Sequence, residues 1–171
     1  MTVLSAPIPA FETAQHDQWD RDDLLLLQQK ALREWRDSDW LAMHDPRAYE
    51  AVMVQDPTLV RVDLGGGSGE SQQGPGCIVV GQPGRVGKQS LALTDERREV
   101  DVGWMEPTRL PFEDACVDEC HAMTVPSMPA ATLAREIGRV MRLGGRVKTR
   151  VTLAAAFQPC GGDWWECVSR G

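Results

Sequence analysis

Three histidines, five cysteines and scattered carboxylates are the side chains of this 171-residue chain that could do chemistry. His121 lies near the end of the run Cys116-Val-Asp-Glu-Cys-His-Ala-Met123, whose β-branched and apolar content reads as a strand over 116–123. At the carboxyl end of a strand in an open α/β sheet an imidazole faces the crevice where ligands bind, and its ordinary pKa suits proton transfer. His121 is therefore the candidate general base. The alternative is a strand histidine satisfied by a neighbouring backbone group. His16 and His44 lie in or beside the N-terminal segment and would have to reach over the site. Cys116, Cys120 and His121 carry good zinc-ligating atoms, but a four-residue step along a strand puts both cysteines on one face and His121 on the other. Cys160 and Cys167 flank a Gly-Gly turn seven residues apart, so buried thiols and no metal are expected.

A second group of candidates sits at 60–69, Val-Arg-Val-Asp-Leu-Gly-Gly-Gly-Ser-Gly. Val60, Val62 and Leu64 alternate as in a strand, and Gly65, Gly67 and Gly69 let the backbone turn tightly and approach a ligand. Asp63 either faces that ligand or caps the glycine turn. Residues 81–88 do not make a phosphate loop, because the glycine spacing is wrong and Gln89 stands where a hydroxyl should.

Helices and strands must position these groups. An irregular arm over 1–19 precedes a helix over 20–43, where Leu24, Leu27, Ala31 and Trp35 recur at helical steps behind Asp20, Asp22 and Asp23. Trp19, Trp35, Trp40 and Tyr49 either pack as core or line a pocket. A short helix over 46–56 leads to the first strand. Strands follow over 77–80, 100–105, 116–123 and 146–153, with helices over 90–99 and 129–143, the latter stopped by Gly144 and Gly145. The arginines 135, 139, 142, 146 and 150 read as a solvated face or, alternatively, a docking surface for an acidic partner. Strands alternating with helices mean a parallel, doubly wound α/β sheet. The chain divides into a covering segment over 1–56 and an α/β unit over 57–171, in one compact domain.

Three motifs in order, Asp63-Leu-Gly-Gly-Gly-Ser-Gly69, Leu110-Pro-Phe-Glu-Asp114 and Arg139-Val-Met-Arg-Leu-Gly-Gly-Arg-Val147, resemble those of class I S-adenosylmethionine (SAM) methyltransferases. The resemblance spans 60–153, and implies a Rossmann-like class I methyltransferase-like sandwich with an N-terminal helical segment. It implies that Asp63 and Gly65, Gly67 and Gly69 hold the methionine end of SAM. Glu106 would stand near the adenine amino group and Gln82 at the ribose. The chain departs from the pattern in three places. Gln82 and Pro83 stand where an acid should hold the ribose hydroxyls. Gly74, Pro75 and Gly76 leave at most one helical turn after the loop. Only 18 residues follow Leu153, enough for one short strand over 164–168, so the sheet is expected to be shortened, with an open edge that favours a homo- or hetero-oligomer.

Composition bounds the function. A net charge of −7 and a pI of about 4.9 disfavour phosphate backbones, so no nucleic-acid partner is expected. Apolar runs such as 24–27 are far short of a membrane span. An odd, irregular cysteine set without a leader fits reduced thiols in a cytoplasm. The expected activity is SAM-dependent methylation of a small molecule. The alternatives are a degenerate relative that no longer transfers methyl and serves as a subunit or cyclase-like enzyme of a biosynthetic pathway, and a binding module without chemistry.

Overall fold

The computed structural model describes residues 18–64, 76–81, 100–104, 106–123, 125 and 128–170. Three helices come first: α1 (Arg21–Arg36), α2 (Asp39–His44) and α3 (Pro46–Met53). Asp20 caps α1 by accepting from the Asp23 N–H at 2.9 Å. The single helix expected over 20–43 is broken at Asp37-Ser38, because Ser38 Oγ accepts from the Leu41 N–H at 3.0 Å and starts a new helix. Asp45 caps α3 in the same way, with Pro46 at the first turn, where its missing N–H is no loss. Leu32, Trp35, Leu41 and Val52 pack these helices together in a small cluster. Trp19 is also core, bridged to Phe112, and the Tyr49 hydroxyl donates to Arg36 O at 3.3 Å.

The rest is α/β, built on a seven-stranded mixed sheet. Its strands are β1 (Arg61–Leu64), β2 (Ile78–Gly81), β3 (Val102–Gly103), β4 (Val117–Ala122), β5 (Met141–Thr149), β6 (Phe157–Gly161) and β7 (Trp164–Cys167), with α4 (Ala130–Val140) before β5. They run in the order β3-β2-β1-β4-β5-β7-β6. The first five are parallel, and β7 is antiparallel to both neighbours. The helix expected over 90–99 lies outside the described residues.

Two expectations are corrected. The helix over 129–143 ends at Val140, and Gly144 and Gly145 do not stop it but sit inside β5. There the pairing with β4 jumps from Val117↔Met141 to Glu119↔Arg146, a bulge that Gly144 permits by its φ of +84°. A Cβ on Gly145 would lie 2.8 Å from Arg142 O and 2.9 Å from Asp118 O, so only glycine fits where the two strands close up.

The sheet is also not shortened. Residues after Leu153 form two strands, β6 and β7, joined through Gly161 and Gly162 at φ +126° and +55°. A Gly-Gly pair between two strand-like runs is a hairpin signal. β7 pairs with β5, so the open β5 edge on which the expected oligomer rested is closed. The outer edge is β6, where Pro159 lacks an N–H to offer a further strand.

Cross-strand register sorts the two faces. Ile78, Val62, Cys120, Val147 and Trp165 align in one apolar row. All but Trp165 are buried in one cluster with Leu24 of α1 and Leu133, Ile137 and Val140 of α4, and Trp165 packs against it. Residues one step along point the other way. That face carries Arg61, Glu119, Arg146 and Glu166 in one aligned row, and Val79, Asp63, His121, Lys148 and Trp164 in the next. Parallel sheets ordinarily bury apolar side chains on both faces, so a face carrying charged residues across the centre of this one departs from the common pattern.

Candidate functional site

Strand order reverses between β1 and β4, and in open α/β sheets ligands bind outside the carboxyl ends of the strands at such a reversal. Asp63 and His121 are direct partners across that seam, each only 4% exposed. The sequence candidates Asp63 and His121 are thus brought together at the place where a ligand is expected.

His121 is held by a carboxylate rather than by backbone. Its Nε2 lies 2.8 Å from Glu119 Oε2, and the same oxygen accepts from Arg61 Nε at 2.8 Å and Nη2 at 2.7 Å. Arg61 Nη1 donates to Gln55 Oε1. Burial works to raise the Glu119 pKa, but the hydrogen bond from His121 and the Arg61 charge outweigh it and hold the carboxyl at about 2. Glu119 is therefore ionised, and an ionised carboxylate can only accept. In the neutral ring the proton sits on Nε2 and the lone pair on Nδ1. Among the described residues Nδ1 has no hydrogen-bond partner. A buried, unsatisfied acceptor is costly, and a water or a ligand that donates to it would relieve that cost.

The supporting layer is equally specific. Gln28 of α1 is fully buried; its Oε1 accepts from the Arg61 N–H at 2.8 Å and its Nε2 donates to Gly76 O at 2.5 Å. This ties α1, β1 and the entry to β2 together behind Arg61. On the far side of His121 the Trp164 ring stands edge-on at 5.3 Å and 80°, and the Arg146 guanidinium covers Trp164 at 4.4 Å.

Cys77, Glu119 and His121 place one potential ligand atom each within 4.8 Å of one another. Arg61 already occupies the Glu119 oxygen, and burial pushes the Cys77 thiol up so that it keeps its proton. A metal would have to displace the guanidinium and ionise the thiol. Burial likewise pushes the Cys116 thiol up to about 12 and raises Cys120, as expected for inert strand cysteines.

The remaining candidates are placed as follows. Glu106 follows β3 on an exposed turn, where Thr108 donates to its Oε1 from Oγ1 at 2.7 Å and from its N–H at 3.1 Å. Those bonds lower its pKa, and the carboxylate caps its own turn without joining Asp63 or His121. His44 is exposed at the end of α2. Gly65, Gly67, Gly69, Gln82 and His16 lie outside the described residues. Arg139 is not part of a solvated face: it donates to Leu110 O at 3.0 Å and Phe112 O at 2.7 Å, and pairs with Glu136 at 2.8 Å and Asp114 at 3.0 Å. Glu136 in turn accepts from the Leu110 N–H at 2.8 Å. Two of the sequence motifs are thereby bolted to each other.

Arg61, Glu119, Lys148 and Trp164 were missed by the sequence reading. The available signal was the two-residue spacing of 61 with 63 and of 119 with 121, which puts each pair on one face of its strand. No protein-family model matches the chain, and no curated protein matches it.

Proposed function

We propose that the chain is a SAM-dependent methyltransferase of a Rossmann-like, methyltransferase-like fold, acting on a small molecule at the β1/β4 seam. The observation that carries this reading is the in-register pair of Asp63 and His121 at the strand-order reversal, with a free lone pair on His121 Nδ1. The sheet order β3-β2-β1-β4-β5 matches the first five strands of the nucleotide-binding doubly wound order, which adds support. The buried Asp63 carboxylate at the end of β1 fits the methionine end of the cofactor, with Gly65 to Gly69 following it. SAM supplies an activated methyl group on a sulfonium. His121 Nδ1 takes the proton that the substrate hydroxyl or amine loses as it is methylated, while Glu119, backed by Arg61, fixes the ring and stabilises its positive charge.

A second reading, a relative that has lost methyl transfer and works as a subunit or cyclase-like enzyme, is favoured by Gln82 and Pro83 directly after β2, where no carboxylate awaits a ribose. Calorimetric titration with SAM separates the two. Methyl transfer predicts saturable binding weaker than about 1 μM, since neutral amide contacts replace charge-assisted ones. Asp63→Asn, checked for an unchanged melting temperature, should weaken it further. Absence of saturable SAM binding by the wild type at millimolar concentration overturns the methyltransferase reading and leaves the second.

A further inference from the structure

The half-buried cations among the described residues are Arg21, Arg36, Arg61, Arg139 and Lys148. Arg21 pairs with Asp118, Arg61 with Glu119 and Arg139 with Glu136, and Arg36 donates to the carbonyls of Val52 and Gln55. Among the described residues the Lys148 side chain alone of these makes no hydrogen bond or ion pair. Its place is specific, for it is the register partner of His121 on one side and of Trp164 on the other. In-register neighbours project from the same face of a sheet, and the rings of His121 and Trp164 reach each other at 5.3 Å from strands on either side of Lys148. A half-buried lysine is thus set in register beside a buried imidazole whose Nδ1 has no hydrogen-bond partner among the described residues. An ammonium in that position offers three donors and a positive charge to an anionic group lying beside the imidazole.

We propose that the small molecule taken up beside His121 is an organic anion, with its charged group on Lys148 and a flat or apolar body against Trp164. This names the substrate class of the site described above and rests on that site being a ligand site. The net charge of −7 gives the protein no long-range attraction for anions, so selection falls to Lys148 at short range. Carboxylate and phosphate share the required chemistry, and the test sorts them.

The probes are benzoate, phenyl phosphate and the neutral benzamide, followed by NMR of the His121 ring and of the Trp164 indole, the latter assigned with Trp164→Phe. The expected result is a saturable shift of both residues with at least one of the two anions, the tighter one naming the charged group, and much weaker shifts with benzamide. Lys148→Met keeps the aliphatic stem and should weaken anion binding by about tenfold or more. Lys148→Arg should retain it. Equal binding of benzoate and benzamide, an unchanged Lys148→Met variant of unchanged melting temperature, or no saturable shift with either anion at millimolar concentration overturns the proposal; Lys148 would then be a lysine whose stem merely packs. SAM calorimetry on the same samples keeps the two questions apart. Anion binding that depends on Lys148 without SAM binding defeats only methyl transfer, and SAM binding with indifferent Lys148 defeats only the anion.

Discussion

Glu119 Oε2 stands 2.8 Å from His121 Nε2, two residues along the same strand, and that same oxygen is gripped by Arg61 from the neighbouring strand. One carboxylate oxygen thereby decides both the orientation of the imidazole and which of its nitrogens holds the lone pair. Replacing Glu119 by Gln removes the charge while keeping the shape. The ring loses its preference, and ¹⁵N shifts of His121 should move from a single Nε2–H tautomer to a mixture. The half-buried Arg61 loses the charge of the carboxylate it grips, and urea unfolding should show a loss on the order of 1 to 3 kcal/mol.

Acid should weaken the fold through the same carboxylate. Its pKa is depressed from an ordinary 4.5 to about 2 in the folded chain, so the unfolded chain binds a proton more readily. Glu119 therefore contributes stability that is present above pH 4.5 and lost as pH falls through about 2, on the order of 3 kcal/mol. Urea melts across this window measure it, and Glu119→Gln should flatten that part of the stability profile.

Glu136→Ala should cost about 2 to 4 kcal/mol, although the residue lies outside the site. It leaves the Leu110 N–H without its acceptor and deprives Arg139 of its closest carboxylate. Differential scanning calorimetry checks this. A change below about 0.5 kcal/mol, the range of ordinary surface substitutions, would show that Arg139 and its backbone carbonyls suffice.

Gly76 and Gly144 make a matched pair. Both have φ near +80°, but a Cβ on Gly76 would lie 2.5 Å from Gln55 Oε1, whereas one on Gly144 meets nothing within 4 Å. Gly144→Ala should lose about 1 kcal/mol from backbone strain alone, and Gly76→Ala more, about 1 to 3 kcal/mol. Gln55 also donates to Gly76 O and accepts from Arg61, so only the Gly76 variant should disturb the His121 ring signals.

The strands β2 and β4 were legible in the sequence because buried strands write themselves as apolar runs, as in Cys77 to Val80 and Cys116 to Met123, whereas the order of the strands was not. Asp63 and His121 were legible as residue types at strand ends. Their contact partners were not, because register between β1 and β4 is a long-range property that no local pattern states. Nothing local sets Glu119 apart from any strand acid, and its role comes from Arg61, 58 residues away. Gly144 and Gly145 misled for the opposite reason: a helix-stop signal also serves a bulge, and the local pattern is the same. At the C-terminal end the two tryptophans drew attention to β7, while Pro159 hid β6, since proline argues against a strand except at an edge.

The hairpin that completes the sheet has a consequence for the order in which the protein assembles. β7 pairs with β5 across about twenty residues of chain, and β6 lies closer still to β7. Arg61 and Glu119 meet only by closing 58 residues. Loop-closure entropy delays the longer pairing, so the hairpin half of the sheet can organise while the β1/β4 seam is still open. By loop closure alone, Trp164 is then in position before His121 receives its carboxylate clamp.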